Sequence, residues 1–247
     1  IVLVNLSPFI FCPQTGEILM SIFAIGDTHL SLGTDKPMDI FGGWQDYVSR
    51  LEKNWKKIVD PEDTVVIPGD ISWALNLPDT KSDFEFLNSL PGTKIISKGN
   101  HDYWWSTKKK MDEFFLENGF DTLKILHNNA YAVEGIAICG TRGWFFDDNA
   151  AEVDKVINRE CGRLRASITA AKETGLPPVV FLHYPPITRD RVCEPIMQVL
   201  VDEKIERCYF AHLHGMSINY AFTETYEGIK FSLVSSDSLG FCPKLIV

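Results

Sequence analysis

The sequence lacks any apolar run long enough to cross a bilayer. A membrane-spanning helix needs about 20 consecutive apolar residues, and no run in the 247 residues approaches that length. Internal repeats, low-complexity tracts and long Gly/Ser/Pro linkers are also missing, which excludes a repeat array or domains on long tethers. These absences predict one globular domain that neither spans nor binds a membrane.

Cysteine is sparse, and none of the six cysteines belongs to a C-x-x-C pair. A chain of this length can bury a core large enough to fold without disulfide bonds. We therefore expect reduced thiols and a cytoplasmic location rather than a disulfide framework. The thiols are spread along the chain, at Cys12, Cys139, Cys161, Cys193, Cys208 and Cys242.

Positive charge is also scarce. The chain has 24 basic and 33 acidic residues, which gives a formal net charge of −9. An acidic surface repels phosphate backbones at long range, and this argues against dedicated nucleic-acid binding. A small phosphorylated substrate is compatible with this balance if basic side chains are concentrated at one place. The sequence leaves the oligomeric state open.

Residues 1–19 lack the features of a signal peptide, although Ile1–Phe11 is apolar. They have no cationic start and no small-residue cleavage site, and Pro8 interrupts the apolar run. Met20 stands directly before the first convincing strand. We predict that residues 1–19 are an upstream extension and that the functional domain covers residues 20–247.

Short β-branched runs alternate with helical patterns along the chain. Apolar residues at spacings of three and four predict helices over Trp44–Ile58 and Val153–Ala171. Asp147 and Asp148 are suitable N-terminal caps for the second helix. The early β-α-β-α-β rhythm predicts an α/β sandwich. Strands are expected at Ser21–Ile25, Thr64–Ile67, Lys94–Ser97, Ile136–Cys139, Val179–Leu182, Cys208–Phe210 and Lys230–Val234.

Side chains that can bind metal follow five of these strands. In α/β sheets, ligand sites form beyond the carboxyl ends of strands, so these side chains are expected to meet at one edge. Each short motif alone is a weak signal, because similar sequences occur in turns and surface loops. Their joint occurrence is a strong one: Gly26-Asp27-Thr28-His29, Gly69-Asp70, Gly99-Asn100-His101-Asp102, His183 and Ala211-His212-Leu213-His214.

This ordered set resembles the pattern of the calcineurin-like metallophosphoesterases, which runs D-x-H, G-D, G-N-H-[DE], H and G-H-x-H. The resemblance covers nearly all of the chain from Met20 and implies an α/β fold, a four-layer α/β/β/α sandwich. It implies that His101 is the catalytic histidine and faces the leaving group. The implied metal ligands are Asp27, His29 and His214 for one ion, Asn100, His183 and His212 for the second, and Asp70 bridging both.

The residue types in this set suit divalent transition metals. Carboxylate, amide and imidazole ligands favour Mn, Fe, Co, Ni or Zn, and the lack of thiolate argues against a structural zinc site. We expect two ions, manganese first, with iron, zinc, nickel or cobalt as alternatives. Two ions about 3.5–4 Å apart can generate hydroxide at neutral pH and hold phosphate oxygens for in-line attack. Two aspartates and that hydroxide would leave the metal centre with about one positive charge.

Two positions depart from the family pattern. Ala211 replaces the glycine that usually precedes the first histidine of G-H-x-H, which changes a backbone position and no ligand. Trp73 stands where the protein phosphatase branch has an aspartate that partners the catalytic histidine. This second departure disfavours that branch and leaves the partner of His101 open.

Candidate substrate contacts are polar, aromatic and basic side chains within a few residues of these loops. Aromatic rings there can stack on a flat leaving group or close the core beneath the site. Arg142 can bind phosphate bidentately or form an ordinary ion pair. Arg189, Arg191 and the Lys108–Lys110 run are expected to be solvated. The candidates are Asn100, Arg142, Trp73, Tyr103, Trp104 and Tyr184, with Trp105 and Trp144 in the same group.

These features predict a metal-dependent phosphoesterase that hydrolyses phosphoric mono- or diesters by attack of a hydroxide bridging two metals. The expected substrates are small organic phosphoesters, and His101 is expected to protonate the leaving oxygen. The alternatives are a non-catalytic scaffold with this fold and a nuclease. A scaffold should have lost a ligand or the catalytic histidine, and a nuclease normally has a basic groove. The sequence shows neither feature.

Overall fold

The fold contains two β-sheets that stack between helices. The structure, a computed structural model, describes residues 20–144 and 150–247. Within these residues one sheet has five strands and the other has six. The upstream extension expected at residues 1–19 lies outside the described residues, as do the helix caps expected at Asp147 and Asp148.

The first sheet is parallel except at one edge. Its strands are β1 (Ile22–Ala24), β2 (Thr64–Pro68), β3 (Thr93–Ser97), β4 (Leu123–Ile125) and β11 (Lys244–Leu245). They lie in the order β11-β1-β2-β3-β4, with β11 antiparallel to β1. Every residue of β2 is buried, as its unbroken apolar run predicts for a strand covered on both faces.

The second sheet has a parallel centre and an antiparallel strand at each edge. Its strands are β5 (Tyr131–Val133), β6 (Ile136–Thr141), β7 (Pro178–Leu182), β8 (Arg207–Phe210), β9 (Thr225–Tyr226) and β10 (Ile229–Leu233). They lie in the order β5-β6-β7-β8-β10-β9, and β5 and β9 are the antiparallel strands. The central strands therefore end at the same edge of the sheet.

Helices cover the outer face of each sheet. Helices α1 (Tyr47–Ile58), α2 (Lys81–Ser89) and α3 (Lys108–Asn118) share an apolar core with the first sheet, and α4 (Ala150–Glu173) and α5 (Glu194–Asp202) share one with the second. A third core lies between the sheets and includes Ile22, Val66, Ile138 and Phe181. The predicted four-layer α/β/β/α sandwich is confirmed.

The predicted strands are confirmed, each within two residues at either end. The first predicted helix begins at Tyr47 rather than at Trp44, because Asp46 adopts a left-handed conformation that breaks the helix there. Trp44 is nevertheless buried, 2% exposed, in the turn before α1. The Lys108–Lys110 run is solvated as expected, with Lys109 85% exposed. Among the described helices, none is both long and apolar enough to span a bilayer.

Candidate metal centre

Five loops bring the predicted ligands to one edge of the sandwich. They follow β1, β2 and β3 of the first sheet and β7 and β8 of the second. Two backbone hydrogen bonds join the strand ends at this edge, the first between the two sheets and the other within the second sheet. The Gly26 amide donates to the Val234 carbonyl at 2.6 Å, and the Ala211 amide donates to the His183 carbonyl at 3.1 Å. The expected convergence of the loops is therefore present in the structure.

Ligand atoms form two groups that share one aspartate. In one group, atoms of Asp27, His29 and Asp70 lie within 4.8 Å of one another, and in the other the same holds for Asp70, His183 and His212. Asp70 Oδ2 is 3.7 Å from His29 Nε2 and 3.5 Å from His183 Nε2. This oxygen therefore stands between the two groups, where a bridging ligand is needed.

The remaining two predicted ligands lie beside these groups. The His214 ring packs edge-on against His29, with 5.4 Å between ring centroids. Asn100 Oδ1 is 2.7 Å from His183 Nε2. The structure thus brings the side chains of all seven predicted ligands to one place, with His214 on the His29 side and Asn100 on the His183 side.

Several ligand atoms are buried without a hydrogen-bond partner among the described residues. They include Asp27 Oδ1, Asp70 Oδ2 and both ring nitrogens of His29. Leaving buried polar atoms unpaired costs free energy, about 1–3 kcal/mol for each neutral group and more for a charge. A metal ion bound by these atoms would satisfy them, so the donor set fits the divalent cations that its chemistry predicts.

The electrostatics of the site also fit cation binding. Burial and the nearby Asp70 carboxylate raise the pKa of Asp27 well above its ordinary value, and burial raises the pKa of Asp70 to about 6. Burial lowers the pKa of both His183 and His212 to about 3. These imidazoles are therefore neutral at pH 7, which is the form that binds metal.

The ligand loops have an unusual backbone conformation. Asp27, His29, Asp70 and His212 all have φ between 43° and 72°, in the left-handed region that residues other than glycine rarely adopt. Gly69 permits the close approach of two loops, since a Cβ there would lie 2.6 Å from the Gly99 Cα atom. Strain of this kind concentrates at functional sites, where the surrounding contacts hold it.

His101 is held beside the ligands by its backbone. Its amide donates to Asp70 Oδ1 at 2.7 Å, and its half-buried ring lies 4.5 Å from the Trp73 ring. The nearest hydrogen-bonding group to its ring that the structure gives is the Tyr103 hydroxyl, 3.4 Å from Nδ1, a long contact. Trp73 itself stacks on His29 at 4.9 Å. The aromatic side chains of Trp73 and Tyr103 therefore surround His101, where the protein phosphatase branch has an aspartate.

The role of Asp102 was not predicted from the sequence. Its buried carboxylate accepts hydrogen bonds from the backbone amides of Gly99, Asp70 and Ile71 at 2.7–2.9 Å. It therefore joins the loop after β2 to the loop after β3, and so places Asp70 beside Asn100 and His101. Asp102 is the last residue of the G-N-H-D motif, so the motif could have identified it. It was not singled out because it is not a metal ligand in the family pattern.

We expect Asp102→Asn to lower the free energy of unfolding by about 3 kcal/mol, because the amide nitrogen would face backbone donors in place of an acceptor. For a domain of this size the midpoint of thermal unfolding should fall by about 6–12 °C. The measurement is calorimetry of the metal-free proteins. Asp121→Asn, at an exposed position, is the matched control. Equal midpoints for Asp102→Asn and the wild type would contradict the role assigned to Asp102.

For Trp104, the prediction of a substrate contact is wrong. Its side chain is 2% exposed and packs edge-on against Phe84 in the core, and its indole nitrogen donates to Asp102 Oδ1 at 3.0 Å. The alternative interpretation, an aromatic ring that closes the core beneath the site, is the one the structure supports. Tyr103, by contrast, is 58% exposed beside His101.

Three further substrate candidates, Arg142, Trp144 and Tyr184, lie on the His212 side of the centre. The Tyr184 ring is 4.5 Å from the His212 ring, and the Arg142 guanidinium lies 6.0 Å from Tyr184 and 5.2 Å from the Trp144 ring. Trp105 is half-buried against Trp104. On the exposed loop after β7, Arg189 donates to the Ala221 carbonyl and Arg191 lies 3.8 Å from Asp190, an ordinary charged loop.

Comparisons with known proteins agree with this geometry. The family model of calcineurin-like phosphoesterases matches residues 20–216. A phosphopantetheinyl hydrolase (PptH) from Mycobacterium tuberculosis is similar in structure, with 14% sequence identity and a TM-score of 0.55 over 92% of this chain and 95% of that chain. TT1561 of Thermus thermophilus has 13% identity and a TM-score of 0.51, over 82% of this chain and 87% of that one. At such identities these likenesses show the fold alone. No curated protein matches the chain.

Proposed function

Because this chain belongs to the calcineurin-like phosphoesterase family, we propose that it hydrolyses phosphoric mono- or diesters at a centre of two divalent metals. The observation that carries the proposal is the pair of ligand groups that share Asp70. Two adjacent ions, joined by one carboxylate, suit the in-line displacement of an ester oxygen from phosphorus. Small organic phosphoesters are the substrates we propose.

Different residues would bind each of the two ions. Asp70 would hold both ions, and manganese is the first candidate, with iron, zinc, nickel or cobalt as alternatives. When bound, the two ions supply positive charge that attracts the phosphate and makes water a stronger nucleophile. The further ligands are Asp27, His29 and His214 for one ion and Asn100, His183 and His212 for the other.

Other residues act on the substrate and its leaving group. His101 delivers a proton to the departing oxygen, because it stands next to the ligands and is not assigned to a metal. Burial lowers the pKa of His101, which makes its protonated form a stronger acid. Asn100 is also close enough to the centre to donate a hydrogen bond to phosphate. Trp73, Tyr103 and Tyr184 offer rings for the organic part of the substrate.

The two alternatives are less well supported. A scaffold without chemistry has no need for buried, unpaired ligand atoms such as Asp27 Oδ1 and Asp70 Oδ2. A nuclease requires an extended positive surface for a nucleic-acid backbone, whereas this chain has a net charge of −9. We propose accordingly that nucleic acids are not its dedicated substrates.

A panel of chromogenic esters tests the proposed function. Nitrophenyl phosphate and bis-nitrophenyl phosphate should be hydrolysed after addition of Mn²⁺, Ni²⁺, Zn²⁺ or Mg²⁺, and chelation should abolish turnover. Asp70→Asn, prepared in parallel, guards against a contaminating phosphatase. If no metal supports hydrolysis of any mono- or diester above the Asp70→Asn background, the proposed function is wrong.

We expect metal binding to stabilise the fold, because the ions bind only the assembled loops. At a free metal concentration 100 times the dissociation constant the gain is about 2.7 kcal/mol, which should raise the midpoint of thermal unfolding by about 5–10 °C. The measurement is calorimetry with and without Mn²⁺. The shift should be much smaller for Asp27→Ala. A wild-type midpoint that does not respond to any of the candidate metals would contradict a metal centre here.

A further inference from the structure

A cavity lies beside the candidate metal centre. It has a volume of about 380 Å³ and lies between the residues that follow β3 and the end of β6. Helix α4 forms another wall, with Arg159, Glu160 and Arg163 lining the space. The cavity is within the size range of small-molecule sites, and no role has yet been given to it.

The cavity concentrates positive charge in an acidic protein. Among the described residues, four basic side chains line it, Lys98, Arg142, Arg159 and Arg163, against one carboxylate, that of Glu160. That carboxylate is buried and already engaged, with Arg163 at 2.6 Å and with the Thr141 hydroxyl at 2.7 Å. The described part of the lining therefore carries a surplus of three positive charges, whereas the chain as a whole carries −9.

Three of these cations are available to bind an anion. Within the described part of the chain, neither the Lys98 nor the Arg159 side chain makes a hydrogen bond or an ion pair, and Arg142 Nε is buried without a hydrogen-bond partner. In a structural ion-pair network these side chains would be paired with carboxylates. Their convergence on one cavity, unpaired, indicates a site for an anionic group.

Residues that line the cavity are close neighbours of the candidate ligands in the sequence and in the second sheet. Lys98 lies two residues before Asn100. Thr141 is paired in register with Leu182, which directly precedes His183, and the Tyr184 amide donates to the Arg142 carbonyl at 2.9 Å. An anion in the cavity would therefore lie on the side of the centre formed by Asn100 and His183.

From this juxtaposition we propose that the cavity binds a second phosphate group of the substrate. The inference rests on the proposed function and narrows it to phosphoesters whose organic part carries another phosphate. Lys98, Arg142 and Arg159 would hold that second phosphate while the ester phosphate occupies the metal centre. Trp105, which also lines the cavity, offers an apolar surface for the atoms that join the two phosphates.

Binding of inorganic pyrophosphate to the metal-free protein tests the anion site without any turnover. Calorimetric titration in the presence of chelator should show one site per chain. Lys98→Gln and Arg159→Gln should each weaken binding about tenfold, since each removes a charge-assisted hydrogen bond. Arg165→Gln is the matched control, because Arg165 is on the same helix but pairs with Asp202 and Glu203. Binding that is absent, or equally weakened by all three substitutions, would overturn the site.

Kinetics then test whether the site serves the substrate. Propane-1,3-diol bisphosphate and propyl phosphate differ only by the second phosphate. The metal-loaded wild type should prefer the bisphosphate by about tenfold or more in kcat/KM, and Lys98→Gln with Arg159→Gln should remove most of this preference while Arg165→Gln keeps it. No preference in the wild type would overturn the substrate assignment. If neither ester is hydrolysed but pyrophosphate binds as expected, the proposed function fails and the anion site stands.

Discussion

Asp70→Asn should lower kcat/KM for phosphoester hydrolysis by at least about 10³-fold and should lower metal content at the same time. Asp70 Oδ2 lies between the two groups of candidate ligands, at 3.5–3.7 Å from an imidazole nitrogen on either side. An amide has no charge with which to balance two cations, so both sites should weaken. Polarisation by metal ions is worth several kcal/mol in the transition state, and each 1.4 kcal/mol corresponds to tenfold in rate.

The matched control for this prediction is Asp63→Asn. Asp63 precedes β2, whereas Asp70 follows it, and its carboxylate accepts hydrogen bonds from the Ser21 and Asp60 amides. Both substitutions remove a buried charge from the same strand region, but only Asp70 stands at the metal centre. Metal analysis and kinetics should therefore separate the two variants. Full metal occupancy and activity in Asp70→Asn would contradict the bridging role.

His101→Ala should lower kcat by about 10²–10⁴-fold, the usual contribution of general acid–base catalysis, with little change in metal content. The ring lies beside the ligands, half-buried against Trp73, but is not among the side chains that form the two groups. Its loss removes a proton donor and leaves the ligands in place. Metal analysis of the same preparations should show that His101→Ala keeps the metal content of the wild type.

The leaving group supplies an internal control for the role of His101. A nitrophenolate departs without protonation, so the loss on His101→Ala should be small for nitrophenyl esters. An alkoxide requires the proton, so the loss should be largest for alkyl esters. Equal losses for the two esters, or a variant that has lost its metals, would show that His101 is not the proton donor.

The sequence was sufficient to predict which side chains converge at this edge, because metal chemistry limits the choice of residue type and the family pattern fixes the order. The central strands were equally clear, since strands covered on both faces, such as β2, have unbroken apolar runs. Short edge strands such as β9 (Thr225–Tyr226) and β11 (Lys244–Leu245) were not predicted. A strand of two residues is too short to show an alternating pattern of apolar residues, and it forms only by pairing with a strand elsewhere in the fold.

At the site itself, the orientation of individual side chains could not be predicted from the sequence. Trp73, Tyr103 and Trp104 are all near the motif loops in sequence, yet only Trp104 is buried, because its indole nitrogen reaches Asp102. The basic cavity could not be predicted either, since its cations come from three segments. Lys98 follows β3, Arg142 follows β6, and Arg159 lies in α4. Their proximity exists only after the two sheets have packed together.

The division of ligands between the two sheets has a mechanical consequence. Asp27, His29 and Asp70 all follow strands of the first sheet, whereas His183 and His212 follow strands of the second. An ion in the second group would therefore join the two halves of the molecule at their shared edge. Its removal should let the halves separate more readily, so that the protein unfolds faster and its folded state is less stable. The centre would then determine the lifetime of the folded molecule, and a cell short of the metal would lose the protein along with its activity.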